Sequence, residues 1–123
     1  MLEFVCDYSV GEADKRPWGD WMVIDVGPGW AVKRIRVAPG GILSLQRHAH
    51  RAEQWTVVAG TARVTRNHEI FDVPAGQSVA IAKGDMHRIA NYGETDMVFI
   101  EVQSGTILKE SDIERLEDTY GRV

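Results

Sequence analysis

Three of the chain's four histidines fall at positions 48, 50 and 87. The first two lie in Leu45-Gln46-Arg47-His48-Ala49-His50-Arg51-Ala52-Glu53. Alternate residues of a strand share a face, so Gln46, His48 and His50 are expected to point one way, and Leu43 and Leu45 the other, into packing. Imidazole nitrogens beside amide and carboxylate oxygens suit Zn, Mn, Fe, Co or Ni. A second set of chemically capable residues lies in other strands. In Val32-Lys33-Arg34-Ile35-Arg36-Val37, Lys33 shares parity with Ile35 and Val37, which puts it on the inward face, where a lysine is costly unless paired or used. Glu101 alternates with Phe99 and Gln103, and is a candidate base if that face lines a cavity. Arg51 and Arg88 adjoin the histidine-bearing runs, and arginine forks recognise phosphate. His68, in Arg66-Asn67-His68-Glu69, reads as a solvated hairpin turn.

The elements that must position these residues are short strands. Glycine and proline clusters at Gly27-Pro28-Gly29, Pro39-Gly40-Gly41 and Pro74-Ala75-Gly76 separate runs rich in Val, Ile and aromatics. The runs are Trp21 to Val26, Val32 to Val37, Trp55 to Val58, Ala62 to Thr65, Ser78 to Ile81 and Met97 to Val102, a spacing that predicts an all-β sandwich or barrel. Only the C-terminus reads as helix: Ser111-Asp112-Ile113-Glu114 fits a capping box, followed by an apolar stripe of Ile113 and Leu116. Residues 1–15 lack a strong period and read as an N-terminal arm over a single domain spanning 16–123. The four tryptophans read as core.

Composition bounds the function. With 123 residues, 44% apolar and 26% charged, the chain builds one packed domain. A net charge of −4 without a basic run argues against nucleic acid as a partner. No apolar stretch approaches the roughly 20 residues of a membrane span, and the first residues do not form a signal peptide, so a cytoplasmic protein is expected. The single cysteine, Cys6, excludes an internal disulfide and a cysteine zinc site, and reads as a small buried hydrophobe.

The motifs resemble the cupin superfamily. Its first motif, G-x5-H-x-H-x(3,4)-E-x6-G, is reproduced by Gly40, Gln46, His48, Glu53 and Gly60, with Gln in the first ligand place. Its second, G-x5-P-x-G-x2-H-x3-N, is reproduced by Gly76, Ala82, Gly84, His87 and Asn91, with Ala82 for Pro. Starting the first motif at His48-x-His50 instead would leave Glu53 too close. The resemblance implies a jelly-roll barrel, here with a short C-terminal helix, around one divalent metal held by Gln46, His48, Glu53 and His87. His50 is then an inward neighbour that supports the ligands or touches substrate.

Longer runs are similar to the type II mannose-6-phosphate isomerase domain. They include Arg16-Pro17-Trp18-Gly19, Leu43 to Ala62, His87-Arg88, Ile100 to Gly105 and Asp112-Ile113-x-Arg115-x-x-Asp118-x-Tyr120-Gly121-Arg122. That resemblance implies a metal-dependent aldose–ketose isomerase that interconverts mannose 6-phosphate and fructose 6-phosphate, without guanylyl transfer, in a homodimer. Arg51 is the substrate-binding residue it favours, with Arg88 and Lys33 as further contacts; the catalytic base stays open among Lys33, His50 and Glu101. One departure stands out: the family reads Arg-Ala-Glu-His-Trp, and this chain has Gln54 in place of that His. A sugar-phosphate-binding or regulatory domain without turnover, or another metal enzyme such as a dioxygenase, is the alternative.

Overall fold

The computed structural model describes residues 3–122, so the outermost residues of the expected arm and barrel, Met1, Leu2 and Val123, lie outside the described residues. The described residues form thirteen strands: β1 (Val5–Cys6), β2 (Ala13–Arg16), β3 (Gly19–Gly27), β4 (Trp30–Val37), β5 (Leu45–Arg47), β6 (Arg51–Ala59), β7 (Thr61–Arg66), β8 (Glu69–Pro74), β9 (Ser78–Ile81), β10 (His87–Ala90), β11 (Met97–Gly105), β12 (Ile107–Leu108) and β13 (Glu114–Glu117). All six runs expected to be strands fall within β3, β4, β6, β7, β9 and β11.

The strands build two antiparallel sheets. One has six strands in the order β2-β3-β4-β11-β6-β9, and the other five in the order β13-β5-β10-β7-β8, with β1 paired in parallel to β12. Alternation drives the assembly: Ala31, Ile35 and Val37 of β4 and Met97, Phe99, Glu101 and Gln103 of β11 are buried, while Arg34 in β4 and Val102 in β11 are exposed. These inner faces pack against Ala62, Val64 and Ile89 of the other sheet to make one core. This is the jelly roll the motifs imply. Gly60, at the β6–β7 hairpin, has φ +75°, and a Cβ there would stand 3.2 Å from the Asp96 carbonyl oxygen; the motif glycine is therefore fixed by backbone geometry. Asn67 takes φ 52° in the β7–β8 turn, which leaves His68 exposed as expected.

Of the stretch read as an arm, Val5–Cys6 pairs with Ile107–Leu108, Tyr8 is buried, and β2 adds an edge strand to the larger sheet. Cys6 is half-buried, with its sulfur 3.9 Å from the Tyr8 carbonyl. Trp18, Trp21 and Trp55 are core; Trp30 is partly exposed and covers Gly27.

The C-terminal helix is not formed. Residues Glu114–Glu117 are strand β13, paired antiparallel with β5. The groups read as a capping box find partners across the chain instead: the Asp112 carboxylate accepts the backbone N–H groups of Ala49 and His50 at 3.0 Å each, and Glu114 takes Arg47 at 2.8 Å. A helix of this length is marginal alone, whereas the edge of β5 offers a ready set of backbone partners. No helix among the described residues is long and apolar enough to cross a membrane.

Candidate metal centre

Two inner-face rows of the six-stranded sheet carry most of the polar residues. Register places Lys33, Glu101 and Trp55 side by side across β4, β11 and β6, and Gln103 beside Glu53 in the next row. Directly opposed residues share a face, so all five point into the barrel, and all are buried. The inward parity expected for Lys33 and Glu101 therefore holds.

The facing sheet completes the cluster. His87 opens β10 and pairs in register with Gln46 of β5. His48 lies just past the end of β5 and is buried. His48, Glu53 and His87 each offer one ligand atom, and these atoms lie within 4.8 Å of one another. His48 Nε2 is 3.2 Å and His87 Nε2 is 3.7 Å from the two Glu53 oxygens. The far side of each ring suits a ligand role. His48 Nδ1 donates to the Asp112 carbonyl at 2.5 Å and His87 Nδ1 to the Asp85 carbonyl at 2.9 Å, because a carbonyl can only accept. Each Nε2 is then left with its lone pair toward Glu53, the arrangement that orients metal-ligating imidazoles. Gly84, at φ +79°, lets its N–H reach the His48 carbonyl at 3.0 Å and so ties the second motif to the first.

Electrostatics keep the cluster ready for a cation. Burial pushes the Glu53 carboxyl up, but the charge of the Arg51 guanidinium leads the pull against it, and Glu53 is held well below the usual carboxylate range. Burial holds His87 below its ordinary value, which keeps it neutral. The donor set of two imidazoles and a carboxylate, each with a fixed orientation, fits a divalent transition ion. Arg51 competes for the same atoms: its Nε donates to Glu53 at 2.8 Å and its Nη2 to His48 Nε2 at 3.2 Å.

Glu101 stands one row behind. Burial, reinforced by the charge of Glu53, pushes its carboxyl up to about 7 against the pull of Arg51 and Lys33. Trp55 Nε1 donates both to Glu101 at 3.1 Å and to Glu53 at 3.0 Å, and Gln103 donates to Glu101 at 2.8 Å. Lys33 Nζ sits 4.2 Å above the Tyr8 ring and 4.1 Å above the Trp21 ring, with Glu110 at 3.3 Å. A cavity of about 100 Å³ joins these groups, with Lys33, Gln46, Arg51, Glu53, His87, Arg88 and Glu101 all in its wall.

Two expectations are corrected. His50 does not share the face of Gln46 and His48: β5 ends at Arg47, the chain bends through Ala49 and His50, and His50 is exposed with its backbone held by Asp112. Leu43 is not on the opposite face from Gln46, because residues before Leu45 are not in the strand; it lines the cavity with Ser44. Arg88 reaches the cavity but also bonds the Leu43 carbonyl at 2.9 Å and Glu117 at 3.3 Å. Gln54 is exposed on the outer face of β6, so the family's departure there does not reach the cavity. Asn91 ties β10 to the Val37 and Thr95 carbonyls, a structural use of a motif residue. The sequence reading missed Tyr8, Asp112, Gln103 and Glu110 as cavity or support residues; only Gln103 carried a signal, its parity with Glu101.

Comparison with known proteins agrees with this geometry. Barrels of the same fold include oxalate decarboxylase from Bacillus subtilis, with a TM-score of 0.77 and 25% identity over 86% of this chain and 30% of that one. A Klebsiella pneumoniae protein with a double-stranded β-helix domain matches at TM-score 0.70 and 20% identity, over 90% of this chain and 84% of the other. In sequence, the chain is 54% identical over 107 residues to the xanthan biosynthesis protein XanB of Xanthomonas campestris, which is 87% of this chain and 23% of XanB. It is 51% identical over 108 residues to the mannose-1-phosphate guanylyltransferase ManC of Salmonella typhimurium, 88% of this chain and 22% of ManC. The chain thus spans under a quarter of the length of these relatives. Residues 7–118 match the family model for the mannose-6-phosphate isomerase C-terminal domain, and the chain belongs to that family, on a cupin barrel.

Proposed function

We propose that this domain is a metal-dependent sugar-phosphate isomerase that interconverts mannose 6-phosphate and fructose 6-phosphate. The observation that carries the reading is the meeting of two groups in one cavity wall: Glu53 and His87 of the His48–Glu53–His87 cluster, and the buried carboxyl of Glu101. His48, Glu53 and His87 would hold a divalent ion of the Zn, Mn, Co, Ni or Fe type, with Gln46 as a fourth donor. Both bonds of Gln46 within the protein, to the Ser44 carbonyl and hydroxyl, use its amide nitrogen, which leaves the oxygen for ligation. Bound there, the ion would act as a Lewis acid toward the sugar's C1 and C2 oxygens.

The chain's own residues supply the rest. The reaction moves one proton between C2 and C1 through an enediol. Glu101, with its carboxyl near 7, takes the proton from C2 as a carboxylate and returns it to C1 as a carboxylic acid, so a single group serves both directions. Trp55 and Gln103 fix the carboxyl through its two oxygens. Lys33 and Arg51 bring positive charge toward the oxygens on which negative charge develops, in a closed site where such charges act strongly. Arg88 contributes to substrate binding at the wall.

The test is a coupled assay of mannose 6-phosphate turnover, on protein loaded in turn with each divalent ion and shown to be folded and metal-bound. Turnover with at least one ion is expected. Its absence with every ion would overturn the isomerase reading and leave a binding domain.

A further inference from the structure

The lining of the cavity is rich in basic side chains although the protein as a whole is acidic. Six basic side chains line it, Arg16, Lys33, Arg51, Arg88, Arg115 and Arg122, against three acidic ones, Glu53, Glu101 and Glu110. That is an excess of three positive charges inside a chain whose net charge is −4. Five of the six are neutralised locally. Arg16 pairs with Asp14, Lys33 with Glu110, Arg51 with Glu53, Arg88 with Glu117, and Arg122 with Asp118. Arg115 has no ion pair among the described residues, and its Nε is buried without a hydrogen-bond partner.

The position of Arg115 makes this meaningful. In register, Arg115 of β13 lies opposite Gln46 of β5, and Gln46 lies opposite His87 of β10. Opposed residues share a face, so Arg115, Gln46 and His87 form one row across the sheet, pointing into the cavity. Two interstrand steps of about 4.8 Å separate Arg115 from His87, roughly 10 Å between backbones. A phosphate held at Arg115 thus stands beside the metal cluster but not on it. Another buried donor without a partner, Trp21 Nε1, belongs to the same cavity wall. Buried donors left unpaired are expensive unless an acceptor reaches them, and a phosphate presents several acceptor oxygens to an arginine fork.

We propose that Arg115, delivered by the C-terminal strand β13, is the residue that anchors the phosphate of the substrate, while the other basic residues of the wall stay with their acidic partners. The C-terminal segment is then part of the binding site rather than a tail that only closes the barrel. The identity of the phosphorylated sugar rests on the isomerase reading above; the anion site itself does not, and can be measured without turnover.

The experiment is titration calorimetry on the metal-loaded chain with inorganic phosphate, mannose 6-phosphate and mannose, for wild type, Arg115→Met, Arg115→Lys and the exposed control Arg47→Met. Thermal melts check that each variant is folded. The expected result is that wild type binds both phosphate compounds. R115M should weaken both roughly 10- to 100-fold, the scale of a charge-assisted contact, while R115K recovers part of the loss and R47M binds both as wild type does. Mannose affinity and metal content should be unchanged in R115M. Where turnover is present, R115M should raise KM for mannose 6-phosphate by the same factor more than it lowers kcat. Phosphate binding that is Arg115-dependent in a protein without turnover upholds the anchor and overturns the isomerase. Undiminished phosphate affinity in folded R115M, or no phosphate binding by wild type, overturns the anchor whatever the isomerase assay gives.

Discussion

The two walls of the cavity are built on opposite plans. The six-stranded sheet presents Lys33, Glu101, Trp55, Glu53 and Gln103 from regular strands, in two adjacent rows, all buried, with Trp55, Glu53, Glu101 and Gln103 linked by hydrogen bonds. The five-stranded wall presents Gln46, His87 and Arg115 from a three-residue strand, the first residue of β10 and a four-residue strand near the chain's end, and His48 lies on the bend that follows β5. Gln46 is held by the Ser44 carbonyl and hydroxyl and the two imidazoles by backbone carbonyls, while the Arg115 Nε has no partner among the described residues. The difference separates two jobs. A regular sheet fixes charge in a low-dielectric interior, where ionisation can be tuned. Broken strands aim ligand and anchor atoms at angles that a flat alternation does not reach.

The largest effect expected on this contrast comes from the rigid wall. Glu53→Gln removes the carboxylate from the metal cluster and leaves the Arg51 guanidinium buried without its 2.8 Å partner. Breaking a buried pair from one side costs about 3–5 kcal/mol. Chemical denaturation should show a loss of that order, and elemental analysis a protein without stoichiometric metal. Full metal content in a folded E53Q chain would mean that the histidines and Gln46 suffice, and that the two walls are less interdependent than their geometry says.

Glu101→Gln separates charge tuning from fold. The amide keeps the shape and the Trp55 contact but cannot take a proton, so kcat should fall about 10²- to 10⁴-fold. The pH dependence gives the sign. With its carboxyl near 7, Glu101 is increasingly a carboxylate as pH rises through 7, so wild-type turnover of mannose 6-phosphate should climb across that range. Stability runs the other way: a carboxyl raised by burial above its unfolded value stabilises most below about 4.3 and loses that contribution as pH rises through about 7. Melting temperatures between pH 5 and 8 should therefore slope downward more in wild type than in E101Q. A flat difference between the two would remove Glu101 from the buried, charge-coupled role.

Gln46→Ala tests the loose wall more gently. If its amide oxygen serves as the proposed fourth donor, its loss should weaken metal binding about fivefold, the scale of a ~1 kcal/mol contact, as read by competition with a chelating dye. A loss as large as that of E53Q would place Gln46 at the centre of the site.

The same contrast explains how far the sequence could be read. The rigid wall was legible because strand parity is periodic: Lys33 follows from Ile35 and Val37, and Glu101 from Phe99 and Gln103. The ligand set came from motif resemblance, since His48 lies beyond the strand that parity assumes. His50 was misplaced by the same assumption, because nothing local in Arg47-His48-Ala49-His50 announces that the strand stops; the stop is imposed by Asp112, more than sixty residues away, which binds both backbone amides. The C-terminal strand was read as helix for a related reason. Its local signals fit a cap, but β5 offered long-range partners, and tertiary pairing overrode a weak local preference.

Gln54→His is expected to do the least, and for that reason it bears most directly on the family resemblance. The substitution restores the residue the family carries between Glu53 and Trp55, immediately beside a metal ligand in the chain. Adjacent residues of a strand face opposite ways, so a place next to Glu53 in sequence is a place across the sheet from it in space. Gln54 is exposed, opposite Ala80 and Val102 on the outer face, and shares no contact with the cavity. An imidazole there should change stability by less than about 0.5 kcal/mol and leave kcat, KM and metal content as they are. A severalfold rise in kcat would mean that the outer face of β6 takes part in the reaction, and the division of labour between the two inner walls would then have to include a third surface.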